Sequence, residues 1–164
     1  KYPEDPIFFF FFGNLYYEIE SYQTSLQYFN QVMQFSETPL KKDAMVMIGQ
    51  NFLALDQAKK ALVYFLSAYE EDKLDMTVIL FIGNTLMQLG SFKEAKQYFD
   101  ISIDQTPQND EAWFKRGVVG MALKEEQDSV DGYFNKAKEL DPIKYKERIN
   151  QLKAIEVMMK NQKN

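Results

Sequence analysis

The sequence contains neither cysteine nor histidine among its 164 residues. These two absences exclude disulfide bonds, thiolate nucleophiles, imidazole bases and the usual zinc sites. Arginine is also scarce, and basic residues number 19 against 24 acidic ones, for a net charge of -5. A nucleic-acid-binding protein usually carries a basic excess or a basic cluster, so we expect no nucleic-acid partner.

No apolar run in the sequence is long enough to cross a membrane. The most apolar stretch covers Ile7 to Phe12, whereas a membrane-spanning helix needs about 20 residues. The sequence does not begin with methionine, so we interpret it as a piece of a longer or processed chain that has lost any targeting signal. We predict no direct membrane insertion, and the compartment stays unknown, with the cytoplasm slightly favoured.

What the sequence does contain is an internal repeat, together with enough apolar residues, 46% of the chain, to build a core. Glycines that open similar runs stand 34 residues apart at Gly49, Gly83 and Gly117, and Gly13 precedes them by 36. A phenylalanine stands 16 residues after Gly13, Gly49 and Gly83, at Phe29, Phe65 and Phe99 respectively. Apolar residues at a spacing of three to four predict two helices of about 14 residues in each unit.

This pattern resembles the tetratricopeptide repeat over about residues 6 to 142. The third unit has the residues typical of that family at Gly83, Leu86, Gly90, Ala95, Phe99 and Pro107, and the fourth ends with a typical Ala137 to Pro142 segment. Three positions depart from the pattern: Arg116 stands where an apolar residue is usual, Gly120 where an aromatic is usual, and Lys73 where proline is usual. The resemblance implies an all-α fold, a right-handed superhelical solenoid of antiparallel helix hairpins.

The repeat divides the chain into six segments. We predict an N-terminal lead-in at 1–5, repeats at 6–41, 42–75, 76–109 and 110–142, and a C-terminal capping helix at 143–164. Capping residues predict four of the helix starts: Asp5 before Pro6, Thr38 before Pro39, Asn109, and Asp141 before Pro142. Small residues such as Gly83 facing Ala95 should allow the two helices of a unit to approach closely, with Phe99 filling the space toward the next unit.

Five consecutive phenylalanines, Phe8 to Phe12, surround the first helix. We expect Phe9 and Phe12 in the core and Phe10 on the inner face, and we expect Phe8 to be uncovered because it would abut a preceding repeat. A large uncovered apolar face rarely persists alone. Either an upstream repeat covers this end, or the chain forms a homo-oligomer or binds a partner through it.

Nothing in the sequence indicates an active site. There is no glycine-rich phosphate loop, and the carboxylate runs Glu70 to Asp72 and Glu125–Glu126 lie in inter-helix turns, where solvated surface is expected. The tyrosines of the second helices and Trp113 fall at helical spacing that favours packing. We therefore predict no enzyme activity, no cofactor and no metal.

The inner face of the first helices is the candidate binding groove. In a stack of this kind the first helix of each unit lines the concave surface, and its inward positions follow the helical period. Amide side chains recur at one inward position, in Asn14, Gln50 and Asn84. They suit hydrogen bonding to a peptide backbone. Asparagine at this position can also have a purely structural role, in which it only connects adjacent helices. The predicted groove residues are Phe10, Asn14, Tyr17, Val46, Gln50, Leu53, Leu80, Asn84, Met87, Phe114, Val118 and Met121.

The predicted function is protein–protein interaction, with an extended or helical partner segment in this groove. Some members of the family hold a C-terminal carboxylate with a clamp of lysine, asparagine and arginine. That clamp is absent here, since only Asn14 or Gln50 and Lys115 have suitable side chains at its places. The alternative is a structural scaffold that assembles through its repeat ends.

Overall fold

The computed structural model describes residues 5–161. Nine helices, joined by short turns, make up this part of the chain. They are α1 (Pro6–Glu18), α2 (Tyr22–Val32), α3 (Lys41–Ala54), α4 (Ala58–Glu71), α5 (Met76–Gln88), α6 (Phe92–Gln105), α7 (Asp110–Leu123), α8 (Gln127–Leu140) and α9 (Pro142–Asn161). The predicted all-α fold class is confirmed.

The helices belong to two compact units, the first ending at Gly90 and the second beginning at Ser91. In the first unit α1 pairs with α2 and α3 with α4, while α2 also contacts α3 and α4 contacts α5. In the second unit α7 contacts both α6 and α8, and α8 contacts α9. Sequential helices therefore pack as hairpins within each unit. The boundary between the units falls inside the predicted third repeat, and the repeat boundaries themselves stay a prediction.

Within three of the hairpins a glycine of the first helix lies against a phenylalanine ring of the second. A side-chain carbon added to the glycine would meet the ring at 2.7 Å in Gly13–Phe29, 2.4 Å in Gly49–Phe65 and 2.6 Å in Gly117–Phe134. In these hairpins the atoms nearest to the added carbon are those of the ring. Only a hydrogen at the glycine position leaves room for an aromatic ring so close to the helix backbone.

The turn inside each helix pair contains one residue with a left-handed backbone. Its φ is 59° at Glu20, 56° at Asp56, 75° at Gly90 and 57° at Lys124. These four residues repeat with the period found in the sequence. A left-handed residue ends a helix and reverses the chain, so this turn joins the first helix of each pair to the second.

Polar caps begin several helices. Asp5 accepts a hydrogen bond from Ile7 N at 2.8 Å, and Asn109 accepts one from Ala112 N at 3.2 Å. The capping roles of Asp5 and Asn109 are therefore confirmed. The prediction for Thr38 was wrong, because α3 begins at Lys41 after a short turn whose Leu40 N donates to Thr38 Oγ1. Asp75, which the sequence argument missed, caps α5.

The phenylalanine-rich helix α1 buries its rings unequally. Phe8 is half-buried and lies 4.6 Å from the Phe12 ring centroid, and Phe12 stacks on Tyr28 at 5.6 Å. The expectation that Phe8 is the uncovered residue was therefore wrong, since its neighbouring rings partly cover it. The most exposed apolar side chains of α1 are Ile7 at 67% and Phe11 at 62%.

A buried arginine joins three elements of the second unit. Arg116 is only 2% exposed, and its guanidinium bonds to Asp100 on α6 at 2.7 Å and to Glu125 in the α7–α8 turn at 2.8 Å. The Tyr133 ring lies 4.3 Å from the guanidinium carbon, and Lys96 also bonds Glu125 at 2.9 Å. The expectation of a solvated turn was wrong for Glu125, whose side chain is 20% exposed, because the buried cation holds it against the helices.

Candidate partner-binding groove

The predicted groove residues lie on α1, α3, α5 and α7, the first helices of the hairpins. In the first unit all nine are half-buried: Phe10, Asn14, Tyr17, Val46, Gln50, Leu53, Leu80, Asn84 and Met87. Half-buried side chains on successive first helices suit a partner-binding surface. Each is oriented by its neighbours and is still accessible to a bound partner.

The three amides of the groove differ in their hydrogen bonding. Asn14 donates from Nδ2 to the carbonyl of Phe10, one turn earlier in the same helix, at 3.0 Å. Gln50 makes no side-chain hydrogen bond to the residues that the structure describes. Asn84 has its Oδ1 buried without a partner in the same part of the chain. Asn14 is thus partly used by its own helix, whereas Gln50 and Asn84 keep unused hydrogen-bonding capacity.

Two buried polar residues next to this row were missed by the sequence argument. Asn51 is 0% exposed and donates to the Met47 carbonyl at 2.8 Å. Thr85 is 1% exposed and donates to the Phe81 carbonyl at 2.6 Å. Each follows a groove amide by one residue, so it lies on the adjoining side of the helix and satisfies its donor within the helix. The only available signal was their spacing of 34, which does not reveal burial.

A cleft of about 280 Å³ opens among α1, α3 and α5. It brings together the predicted groove residues Phe10 and Val46, which come from different helices. Its other lining residues are Asp43, Met47, Asp75, Thr77 and Val78. The ring of Phe10 is held in place by the ring of Phe29, edge to face, with centroids 5.4 Å apart. The lining of the cleft therefore combines apolar side chains with two carboxylates.

The two carboxylates of the cleft differ in their partners. Asp75 accepts bonds from the Thr77 and Val78 amides at 3.0 and 3.2 Å, and from Lys42 Nζ at 2.8 Å. Burial raises the pKa of Asp75, but these bonds outweigh it and hold its pKa below the ordinary 3.8. Asp43 lies in the first turn of α3 and is exposed, and it forms no ion pair with the described residues. Asp43 is thus the carboxylate whose charge remains uncompensated.

In the second unit the predicted groove residues lie against α9. Phe114 is 5% exposed, and its ring stacks on Tyr145 with centroids 4.9 Å apart. The Arg148 guanidinium lies 4.6 Å from the same ring. Val118 and Met121 are half-buried and pack against the cluster that Phe114 and Tyr145 form. The capping helix therefore covers Phe114, whereas Met121 also borders a separate cleft of about 710 Å³ between the α7–α8 hairpin and α9.

Lys115, the cation that the sequence argument considered for a carboxylate clamp, is half-buried on α7. Burial lowers the pKa of this amine, the charge of Arg148 lowers it further, and Glu111 opposes both. On α9, Tyr145 is fully buried, and burial is the main cause that raises the pKa of its phenol to about 12. These titrating groups belong to the contact between α7 and α9.

Neither a metal centre nor a membrane span is found in the described part of the chain. Residues 5–161 contain no group of three or more carboxylates arranged to hold a metal ion. Among their helices, none combines the length and the apolar character needed to cross a bilayer.

Fold and surface together define an all-α protein of helix-hairpin repeats. A family model described as tetratricopeptide repeat matches residues 82–142. The nine helices of the described residues fit about four such repeats followed by a capping helix. The tetratricopeptide repeat fold suggests a protein–protein interaction module, and proteins of this class are generally non-catalytic scaffolds.

Solved structures show the same fold. YrrB, described as a tetratricopeptide repeat protein with an unusual peptide-binding site, is 25% identical with a TM-score of 0.74, over 86% of this chain and 71% of YrrB. MamA is 17% identical with a TM-score of 0.79, over 88% and 83% of the two chains. A tetratricopeptide repeat protein from Parabacteroides merdae is 15% identical with a TM-score of 0.82, over 89% of this chain and 57% of that one. A comparison with curated proteins gave no similar sequence.

Proposed function

We propose that this protein is a non-catalytic module that binds a segment of a protein partner along α1, α3 and α5. The observation that carries the proposal is the unused hydrogen-bonding capacity of Gln50 and Asn84. The accessible parts of both amides would pair with the backbone of a bound segment, since an amide side chain both donates and accepts.

Apolar residues beside the amides support the same proposal. Leu53 and Met87 lie three residues after Gln50 and Asn84 on their helices, and both are half-buried. Side chains of this kind form pockets that adapt to the partner, methionine especially. The peptide-binding site for which YrrB is described lends further support, because YrrB shares this fold.

A random library of 12-residue peptides displayed on phage provides the test. Peptides selected on the full chain would be synthesised with a fluorescent label, and their affinities measured by fluorescence anisotropy. The double variant Gln50→Ala/Asn84→Ala should weaken binding by about 1–3 kcal/mol, or about 5- to 150-fold, if two hydrogen bonds of ordinary strength are lost.

A matched control removes two amides from outside the groove. Gln31 and Gln97 are exposed on the second helices α2 and α6, so Gln31→Ala/Gln97→Ala should leave the affinity unchanged. Circular dichroism checks that both double variants keep their helical content. If the groove variant folds and binds as tightly as the wild type, the amides are structural and the proposal fails.

Self-association is the second candidate function, and the exposed apolar stripe of α1 favours it. Ile7, Phe11, Leu15 and Ile19 follow one another at a spacing of four, and their side chains are 67%, 62%, 44% and 62% exposed. Residues four apart share a helix face. A continuous apolar face of this kind marks an association surface, and a second copy of the chain would cover it.

A further inference from the structure

We propose that the cleft among α1, α3 and α5 accepts a lysine or arginine side chain of the bound partner. This inference rests on the proposed function, because the basic side chain belongs to the segment that the groove binds. It specifies the chemistry of the partner, which the amides alone do not.

The shape and polarity of the cleft match a long basic side chain. Phe10 and Val46 line the cleft with apolar surface, and Asp43, which is exposed, lines it with a carboxylate. Lysine and arginine bury their aliphatic stems on apolar surface while keeping the charged group in contact with water or a carboxylate. The Phe10 ring adds an attractive face for a cation, more so for the planar guanidinium of arginine.

The charges around the cleft leave a negative excess. Lys42 lies between Asp72 and Asp75, at 3.2 and 2.8 Å, and its single positive charge is shared by these two carboxylates. Asp43 adds a third carboxylate, which has no cation of its own among the described residues. The positive end of α5 does not oppose a bound cation, since Asp75 already occupies its amides.

The distribution of charge along the chain favours the same partner. The first unit, residues 1–90, has 6 basic and 11 acidic side chains, whereas residues 91–164 have 13 of each. The whole net charge of -5 therefore belongs to the unit that contains the cleft. A negative surface attracts basic segments and disfavours acidic ones.

The peptides selected from the random 12-residue library test this inference. We expect them to share a lysine or arginine at one fixed position, and replacing that residue with methionine should weaken binding about 5-fold, as for an exposed ion pair of about 1 kcal/mol. The variant Asp43→Asn should produce the same loss for the original peptide and no further loss for the methionine peptide. The affinity of the original peptide should also fall with added salt, less so in Asp43→Asn.

A control variant and a charge reversal separate the local effect from net charge. Asp104 is exposed on α6, so Asp104→Asn changes the net charge equally and should leave the affinity unchanged. A peptide with glutamate in place of the basic residue should bind Asp43→Lys more tightly than it binds the wild type.

The possible outcomes distinguish this inference from the function on which it rests. Peptides that depend on Gln50 and Asn84 but show no basic preference, or whose basic residue is insensitive to Asp43→Asn, would overturn the inference and leave the proposed function standing. If no peptide binds, or if binding ignores both amides, the groove function and the basic-residue inference both fail.

Discussion

The guanidinium of Arg116 holds the carboxylate of Glu125 with two hydrogen bonds, at 2.8 and 3.2 Å. Gly120 explains how both fit: a side-chain carbon at Gly120 would lie 3.1 Å from Glu125 Oε2 and 3.4 Å from Arg116 Nη1. Arg116 and Gly120 are two of the three departures from the repeat pattern. They are parts of one arrangement, in which the missing side chain of Gly120 leaves room for the ion pair.

Removing the buried cation should destabilise the second unit. Arg116→Ala would leave Glu125 and Asp100 without their central partner, and the loss of hydrogen bonds to charged groups costs about 1.5–3 kcal/mol. Arg116→Lys should also lose stability, because an ammonium group cannot make the two parallel bonds. Lys96→Ala is the control, expected to cost less than about 1 kcal/mol because Lys96 is 39% exposed. Urea unfolding followed by circular dichroism measures all three, and equal midpoints for Arg116→Ala and the wild type would contradict the prediction.

Acid should weaken the protein through the same pair. Burial raises the pKa of Glu125, but bonds from Arg116 and Lys96 outweigh it and hold the pKa below the ordinary 4.5. A carboxylate with a lowered folded-state pKa stabilises fully above its unfolded pKa, and this stabilisation is lost as pH falls through the folded-state value. The free energy of unfolding should therefore decrease when the pH is lowered beneath about 4.5. Glu125→Gln should be less stable at pH 7 and show a shallower fall, and identical pH profiles would disprove the role of Glu125.

Substitution of two glycines should have opposite effects on stability. Gly49→Ala places a carbon 2.4 Å from the Phe65 ring and should cost about 1–3 kcal/mol, as for an overpacked core. Gly132 lies exposed within α8 with no atom near an added carbon, so Gly132→Ala should stabilise by about 0.5–1 kcal/mol through better helix propensity. Thermal unfolding compares the two variants, and a neutral Gly49→Ala would mean that the ring moves aside freely.

The apolar stripe of α1 predicts an effect on assembly. Phe11→Lys should lower the association of the protein measured by sedimentation velocity, because a charge would have to be desolvated in the contact. Helical content should not change, since Phe11 is 62% exposed. Val63→Lys is the control, because Val63 is also exposed, at 61%, but lies on α4. A wild type that stays monomeric at all concentrations, or equal association of both variants, would rule out self-association through α1.

The sequence alone determined the helical class and the repeating unit. Spacing of apolar residues specifies helices, and the recurrence of glycine and phenylalanine specifies which helices pair, because both signals depend on the local backbone and on the period of the chain. The caps at Asp5 and Asn109 were predictable for the same reason, since a cap bonds only to amides two or three residues ahead.

Only the tertiary structure decided how individual side chains are used. Arg116 meets a carboxylate 16 residues earlier and another 9 residues later, and whether such groups meet depends on helix crossings that the sequence pattern does not reveal. Helix packing likewise decided that the ring of Phe11 on α1 is exposed and that the ring of Phe114 is covered by α9. The different bonding of Asn14 and Gln50 was equally hidden, because equivalent repeat positions share a place on the helix but not the side chains packed around them.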